Sequence, residues 1–428
     1  MKTFLRADRV IDGSGETALE GAVVELENDK IVAVHPADQI SGEGGVRDFP
    51  GCTILPGLID THVHLNMPGN GDLLEAVMGE GIGVLMATST ANLARALSLG
   101  TTTLRDVGAY KNTAIDVRRA LELGYITGSN VLACGPPITI TGGHTWMLGG
   151  EADGVDQLRR KVRELIKNGA DFIKVMGSGG GTLGTMSWLP SFSAKELQAI
   201  ADEAHRNDRK ISVHCLCAES IDDAVLASVD QIEHAGFIIN ANGQQVFDPG
   251  VAERLAKSGI PVTSTLAVGA TAINAMLAKP ELSDGEQAFL TRWYTMLRQN
   301  LEQFTQLRDL GVEFVAGTDA GWRFTTVDSL VLELEMMQCG GYSAMEALVS
   351  ATRRAAEIIG IGDTTGTLRP GFDADLIVVR GNPLDTLDAL RDLELVMQRG
   401  KETPCLGRDA LGIPSRRCPD VALAYAGS

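Results

Sequence analysis

The chain has 428 residues, more than one hydrophobic core usually covers, so a large domain with a smaller companion is expected. Hydrophobic residues make up 44% and charged residues 21%, the balance of a globular enzyme rather than a fibrous or disordered chain. With 37 basic against 55 acidic residues the net charge is −18, and no Lys/Arg-dense stretch offsets it, which argues against a nucleic-acid partner.

The opening stretch MKTFLRADRVIDG carries Arg6, Asp8 and Arg9 and lacks the apolar run of a secretory signal. Residues 4–5 into 9–11, 21–26 and 30–34 read as short strands broken by turns such as Asp12-Gly13. From residue 57 onward, β-rich apolar runs alternate with helical patterns, the signature of βα units and a parallel sheet. The candidate strands are 57–65, 101–107, 130–134, 171–176, 210–216, 231–235, 261–266 and 313–318. Helical patterns at 92–99, 115–123, 155–168, 194–207, 221–227, 249–258 and 326–338 follow most of them. Further helical length at 270–310, after the seventh strand, is expected to form part of a lid.

Eight such units closing on themselves give an α/β fold of the (β/α)8 TIM-barrel class, with catalytic groups at the C-terminal strand ends. Residues 371–379 and 393–398 return to short-strand character. The expected organisation is therefore a barrel over 55–362 and a small β-sandwich built from both chain ends, 1–54 and 363–428. Apolar runs such as 81–87 are far too short to cross a bilayer, and seven scattered cysteines suit a reducing compartment. These features predict a cytoplasmic protein with no membrane partner.

Four of the seven histidines fall in candidate strands or at their ends: His62 and His64 on the first, His214 on the fifth and His234 on the sixth. Side chains alternate along a strand, so His62 and His64 face the same way and can chelate one ion. One strand histidine is ordinarily a hydrogen-bonded core residue; four at strand ends point to metal ligands. Lys174 sits mid-strand in Phe-Ile-Lys-Val-Met, where a charged ammonium is costly to bury. Carboxylation by CO2, giving an anionic bridge between two metals, is one answer; pairing with a carboxylate such as Asp106 is the other. Asp319 ends the eighth strand in Ala-Gly-Thr-Asp-Ala-Gly and suits metal binding and proton transfer, or a helix cap.

Leu55-Pro-Gly-Leu-Ile-Asp-Thr-His-Val-His64 resembles the first-strand signature of the amidohydrolase superfamily. Lys174, His214, His234 and Asp319 follow in that family's order, and Gly366-Thr-Leu-Arg-Pro-Gly-Phe-Asp-Ala-Asp-Leu-Ile-Val-Val379 is similar to its C-terminal segment. The resemblance implies two divalent metal ions, zinc being the first choice: His62, His64 and Asp319 hold one, His214 and His234 the other, and carboxylated Lys174 bridges them. It implies a hydroxide nucleophile shared by the metals, with Asp319 carrying its proton to the departing nitrogen. The stretch Ile140-Thr-Gly-Gly-His-Thr-Trp146, followed by Gly150-Glu-Ala-Asp-Gly154, resembles a branch with Xaa-Pro dipeptidases, related carboxypeptidases and N-acyl amino acid (ochratoxin-type) amidases. That likeness casts His144 as a hydrogen-bond donor to the scissile carbonyl; the alternative is a solvent-exposed loop histidine. The implied partner is a small amide or dipeptide, and relatives in the branch suggest a homo-oligomer.

Weaker signals complete the inventory. Gly177-Ser-Gly-Gly-Gly-Thr182 lacks the lysine and spacing of a P-loop and reads as a flexible active-site loop. Trp146, Trp188 and Trp322 follow strands, as pocket walls or as surface packing. Arg105 suits a substrate carboxylate or, more readily, an ion pair with Asp106 or Asp60. Cys215 and Cys217 read as packing residues, and His35 and His205 receive no role. Two other functions compete with amide hydrolysis next to a C-terminal amino acid: cyclic-amide hydrolysis or deamination of the imidazolonepropionase type, and a non-catalytic barrel scaffold.

Overall fold

The computed structural model describes residues 2–36, 45–72 and 74–406, and its strands fall into three sheets. Two of these sheets are wholly parallel. Leu58–Val63, Thr101–Asp106 and Asn130–Ala133 form the first. Ile173–Met176, Ile211–Cys215, Gln231–His234, Val262–Thr263 and Phe314–Val315 form the second.

All eight expected barrel strands are thus present, but they do not pair as one continuous ladder. Isolated parallel bridges, Val63 to Ala320 and Ile138 to Val175, join the two sheets at two seams. Backbone bonds support both seams: Asp319 N–H donates to the His62 carbonyl and Ile138 N–H to that of Lys174, each at 2.8 Å. Every residue of Leu58–Val63 and of Thr101–Asp106 is buried, as strands covered on both faces must be.

The covering helices are amphipathic. Gly154–Lys167 buries Leu158, Val162 and Leu165 and turns its charged residues outward. Ala194–Arg206 opens on a Ser193–Glu196 capping box. Helix Ile82–Ser98 starts earlier than the expected 92, because Gly83 is accommodated inside its first turn rather than breaking it. The expected extra helical length resolves into Ala267–Leu277 and Asp284–Asp309, which pack against each other.

The chain ends build the third sheet, of eight strands in mixed orientation. Strand Val46–Pro56 pairs in parallel with Lys2–Val10 and antiparallel with Leu376–Arg380. Its 11 residues couple the two chain ends into one connected sheet. Leu5, Val24, Ile54, Leu376 and Val378 form the apolar cluster on this sheet. The part of the expected terminal domain beyond residue 406 lies outside the described residues.

Candidate active site

Strand alternation brings His62 and His64 to one face, and both reach the same atom: their Nε2 atoms lie 3.4 and 3.3 Å from Asp319 Oδ1. His234 and His214 come next round the mouth, with ring centroids 5.0 Å from His62 to His234 and 4.7 Å from His234 to His214. His144 follows, 4.9 Å from His214. Ligand atoms of His62, His234 and Asp319 lie within 4.8 Å of one another, a spacing one ion can satisfy. The structure therefore gathers all seven expected site residues, with Lys174, around a cavity of about 330 Å3.

The backbone is bent to do this. Thr145, His234, Thr265 and Asp319 all adopt left-handed φ, between 49° and 70°. Such conformations cost about 1 kcal/mol or more each for non-glycine residues and concentrate at functional sites.

The imidazoles are held by their far nitrogens. His62 Nδ1 donates to Glu233 at 2.8 Å and His64 Nδ1 to the Gly108 carbonyl at 2.9 Å, which turns each Nε2 toward Asp319. His214 is reversed: Nε2 donates to the Gly179 carbonyl at 3.2 Å, so Nδ1 keeps the lone pair. His234 Nδ1 is bonded to the Thr265 hydroxyl at 2.7 Å. Burial first, then neighbouring histidine charge, pushes His234 down to about 3 and His214 well below its usual value, so both are neutral and able to ligate.

Lys174 is 1% exposed and its Nζ has no hydrogen-bond partner among the described residues. Burial pushes its ammonium down, against the pull of the Glu233 charge. The alternative of pairing with Asp106 is not what the structure contains: Asp106 accepts from the Leu65 and Gly108 N–H groups instead. A buried amine without a partner costs several kcal/mol unless something supplies one. A carbamate on Nζ coordinated to metal would do so, and the cluster of His62, His234 and Asp319 fits the same requirement. Burial works to raise the Asp319 carboxyl, yet its contacts with His62 and His64 hold it well below the usual range.

His144 is buried, not the exposed loop histidine of the alternative reading. Its Nδ1 meets the Thr182 hydroxyl at 2.8 Å, and that hydroxyl oxygen also accepts from the Thr145 N–H. With the hydroxyl proton pointed at Nδ1, the ring proton lies on Nε2. Burial, followed by the His64 charge, lowers His144 to about 3 and keeps it a neutral donor. A Cβ at Gly180 would come 2.5 Å from His144 Nε2, so the 177–182 loop provides a glycine floor for this ring. Trp322 crosses His144 edge-on at 5.8 Å and lines the cavity. Trp146 and Trp188 are not among the lining residues, and Trp146 lies open to solvent.

Arg105 corrects an expectation. Its guanidinium pairs with Glu233 at 2.6 Å, and it also donates to Gln231 and the Thr61 carbonyl, rather than pairing with Asp106 or Asp60. Asp60 is taken by Thr318. Glu233, which sequence reasoning passes over, thus joins Arg105 to His62 beneath the site. Its only signal is its place beside His234. Cys215 and Cys217 are buried with their sulfurs on Ser220, as packing residues should be. His35 pairs with Glu25 and His205 with Asp230, both away from the cavity. No helix among the described residues is long and apolar enough to cross a membrane.

Known proteins supply the remaining comparison. The profile described as the Amidohydrolase family matches residues 53–403. The chain is similar to the ochratoxinase of Aspergillus niger, 29% identical over 438 residues that cover 92% of this chain and 84% of that protein. The crystal structure of A. niger ochratoxinase superposes with a TM-score of 0.78 at 27% identity, covering 94% of this chain and 95% of that one. A Xaa-Pro dipeptidase with bound methionine in its active site gives 0.81 at 24% identity, covering 94% and 100%, a likeness of fold.

Proposed function

The chain belongs to the amidohydrolase family, and from that premise we propose that it hydrolyses the amide bond joining an acyl group to a C-terminal amino acid. Dipeptides and N-acyl amino acids, ochratoxin-like amides included, are the substrate class. The scaffold is read as a (β/α)8 barrel, with His62, His64, carboxylated Lys174, His214, His234 and Asp319 holding two divalent ions, zinc first among them. The observation that carries this reading is Lys174, a buried amine with no hydrogen-bond partner among the described residues, lining the same cavity as His62, His64, His214 and His234.

Divalent cations in this ligand set supply Lewis acidity to the water nucleophile and to the amide carbonyl. The residues of the chain do the rest. Burial disfavours the ammonium of Lys174, and its Nζ in the neutral form would attack CO2 and give up a proton to water, yielding the carbamate with its shared negative charge. Asp319, ionised at neutral pH, accepts the proton of the attacking water on its carboxylate and passes it to the leaving nitrogen. His144 Nε2–H donates to the carbonyl oxygen as negative charge develops there. Thr182 and Gly180 hold that ring in place. The cavity, at about 330 Å3, is of the size that takes a small molecule.

The deaminase reading gives the strand-borne Lys174 no task, and a scaffold has no use for six converging ligands. The test is hydrolysis by the zinc-loaded enzyme, before and after chelation, of Xaa-Pro, Xaa-Phe and Xaa-Arg dipeptides and an N-aroyl-phenylalanine. Chelator-sensitive cleavage of one group is expected. A metal-loaded enzyme that cleaves none of them, yet opens cyclic amides, would replace this reading with the alternative.

A further inference from the structure

The long helix Asp284–Asp309 presents one face to the cavity. Phe289, Arg292, Trp293 and Met296 stand at i, i+3, i+4 and i+7 along it, so they share a side and all line the cavity. Three are apolar; the fourth is a guanidinium. The other arginines of this helix include Arg298, which reaches Glu302, and Arg308, which reaches Asp309. Arg292 meets no carboxylate among the described residues and donates one long bond, 3.3 Å, to the Ala241 carbonyl.

That bond fixes where the guanidinium stands. Ala241 belongs to the turn closed by the Ile238–Gln245 bridge, and Gln245 in turn donates to Asn300 on the same helix at 2.5 Å. Helix and turn approach so closely that a Cβ on Gly243 would lie 3.3 Å from Arg292 Nη2 and 3.4 Å from Met296 Sδ. A guanidinium has five N–H donors in a planar fork that matches a carboxylate, and one weak bond leaves most of them unused. In a chain of net charge −18, this arginine is exposed, lines the cavity and has no acid partner among the described residues, so its guanidinium is available to an anion. Its flanking residues state what else that anion carries: a bulky apolar group against Phe289, Trp293 and Met296.

Resting on the amide-hydrolase reading above, we infer that Arg292 binds the free carboxylate of the leaving amino acid while Phe289, Trp293 and Met296 receive its side chain. The preferred leaving group is then a large apolar amino acid. A C-terminal amide lacks the charge Arg292 pairs with, and an arginine leaving group brings a like charge to the same wall.

The experiment compares the zinc-loaded wild type with Arg292→Gln and Arg323→Gln, the latter changing the guanidinium that lies 5.7 Å over Trp322 on the cavity wall. Substrates are N-benzoyl-L-phenylalanine, its C-terminal amide and N-benzoyl-L-arginine. Wild type should favour the free phenylalanine acid. Arg292→Gln should raise KM for that acid by about 10- to 100-fold, the loss of a charge-assisted pair, with kcat and the amide's kinetics unchanged. An unaltered KM, or loss of the acid preference in Arg323→Gln alone, overturns the inference. Calorimetric binding of L-phenylalanine against L-phenylalaninamide needs no turnover and separates the two readings. Arg292-dependent binding without any amide cleavage keeps this inference and removes the hydrolysis reading; cleavage indifferent to Arg292 does the reverse.

Discussion

In the terminal sheet the inward positions are Leu5, Val24, Ile54, Leu376 and Val378, while charged residues such as Arg47 and Glu402 pair at its surface. At the strand ends of the parallel sheets, the inward positions are His62, His64, Lys174, His214 and Asp319. The backbones differ in the same sense. In the terminal sheet, Asn28 and Arg399 take left-handed φ at turns, where the chain merely reverses. Around the cavity, His234, Thr265 and Asp319 take it at the very residues whose side chains must be aimed. One region removes apolar surface from water and stabilises the fold; the other buries polar groups in strained geometry at a cost in stability. Substitutions in the first should therefore move stability without chemistry, and substitutions in the second chemistry before stability.

The largest expected effect tests the second half of that contrast. Lys174→Ala should lower metal content and reduce hydrolysis by more than about 10²-fold, beyond the loss usual for outer-shell partners. Metal analysis alongside turnover checks it, and 13C-labelled CO2 should give a carbamate NMR signal in wild type alone. An alanine variant with full metal and full turnover would break the reading. His144→Ala should lower kcat by about 10²–10³ while metal content stays as it was. Metal loss in this variant would make His144 a ligand rather than a donor.

Leu376→Ala is the converse. It should cost about 2–5 kcal/mol of stability, read from denaturant unfolding, and leave kcat alone. A drop in kcat at a temperature where the variant is folded would mean that the two regions are coupled. The smallest effect concerns Glu333, which is buried behind the cavity-lining Ser264 and Leu266. Burial pushes its carboxyl up to about 7, against hydrogen bonds from Ser264 Oγ and the Leu266 and Ala267 N–H groups. A carboxyl raised in the fold keeps its proton there, so its stabilising contribution is full below its unfolded value near 4.5 and is lost as pH rises through about 7. Glu333→Gln should flatten stability between pH 5 and 7.5, by on the order of 1–3 kcal/mol. A wild-type slope that survives the substitution would assign it to other groups.

Much of this arrangement is legible in the sequence because period-two alternation is a local property. It places His62 and His64 on one face, and the strands expected at 57–65 and 210–216 appear as Leu58–Val63 and Ile211–Cys215. Legibility ends where a partner must be chosen across the ring. Asp60, Asp106 and Glu233 all point inward, and only the three-dimensional register tells Arg105 which to take. The strands expected at 261–266 and 313–318 shorten to Val262–Thr263 and Phe314–Val315, because the chain leaves the ladder to place Thr265 and Asp319. The close approach that requires Gly317, where a Cβ would lie 2.7 Å from that of His62, is likewise invisible until both segments are in place. Arg292 is hidden for a different reason: nothing in a helical pattern says which charged residue will lack a partner.

The seams between the parallel sheets lie beside the proposed ligands. Val63 stands between His62 and His64 and bridges Ala320, next to Asp319; Val175, next to Lys174, bridges Ile138. The three-stranded sheet carries the first two ligands, and the five-stranded sheet or the chain just beyond it carries the rest. Ions that draw on both would rivet the ring where its own ladder is thinnest. Amide hydrogen exchange at His64, Ile138 and Asp319 should then quicken on chelation, while amides inside the unbroken ladders keep their protection. The cofactor would in that case be a closure element of the architecture as well as a reagent.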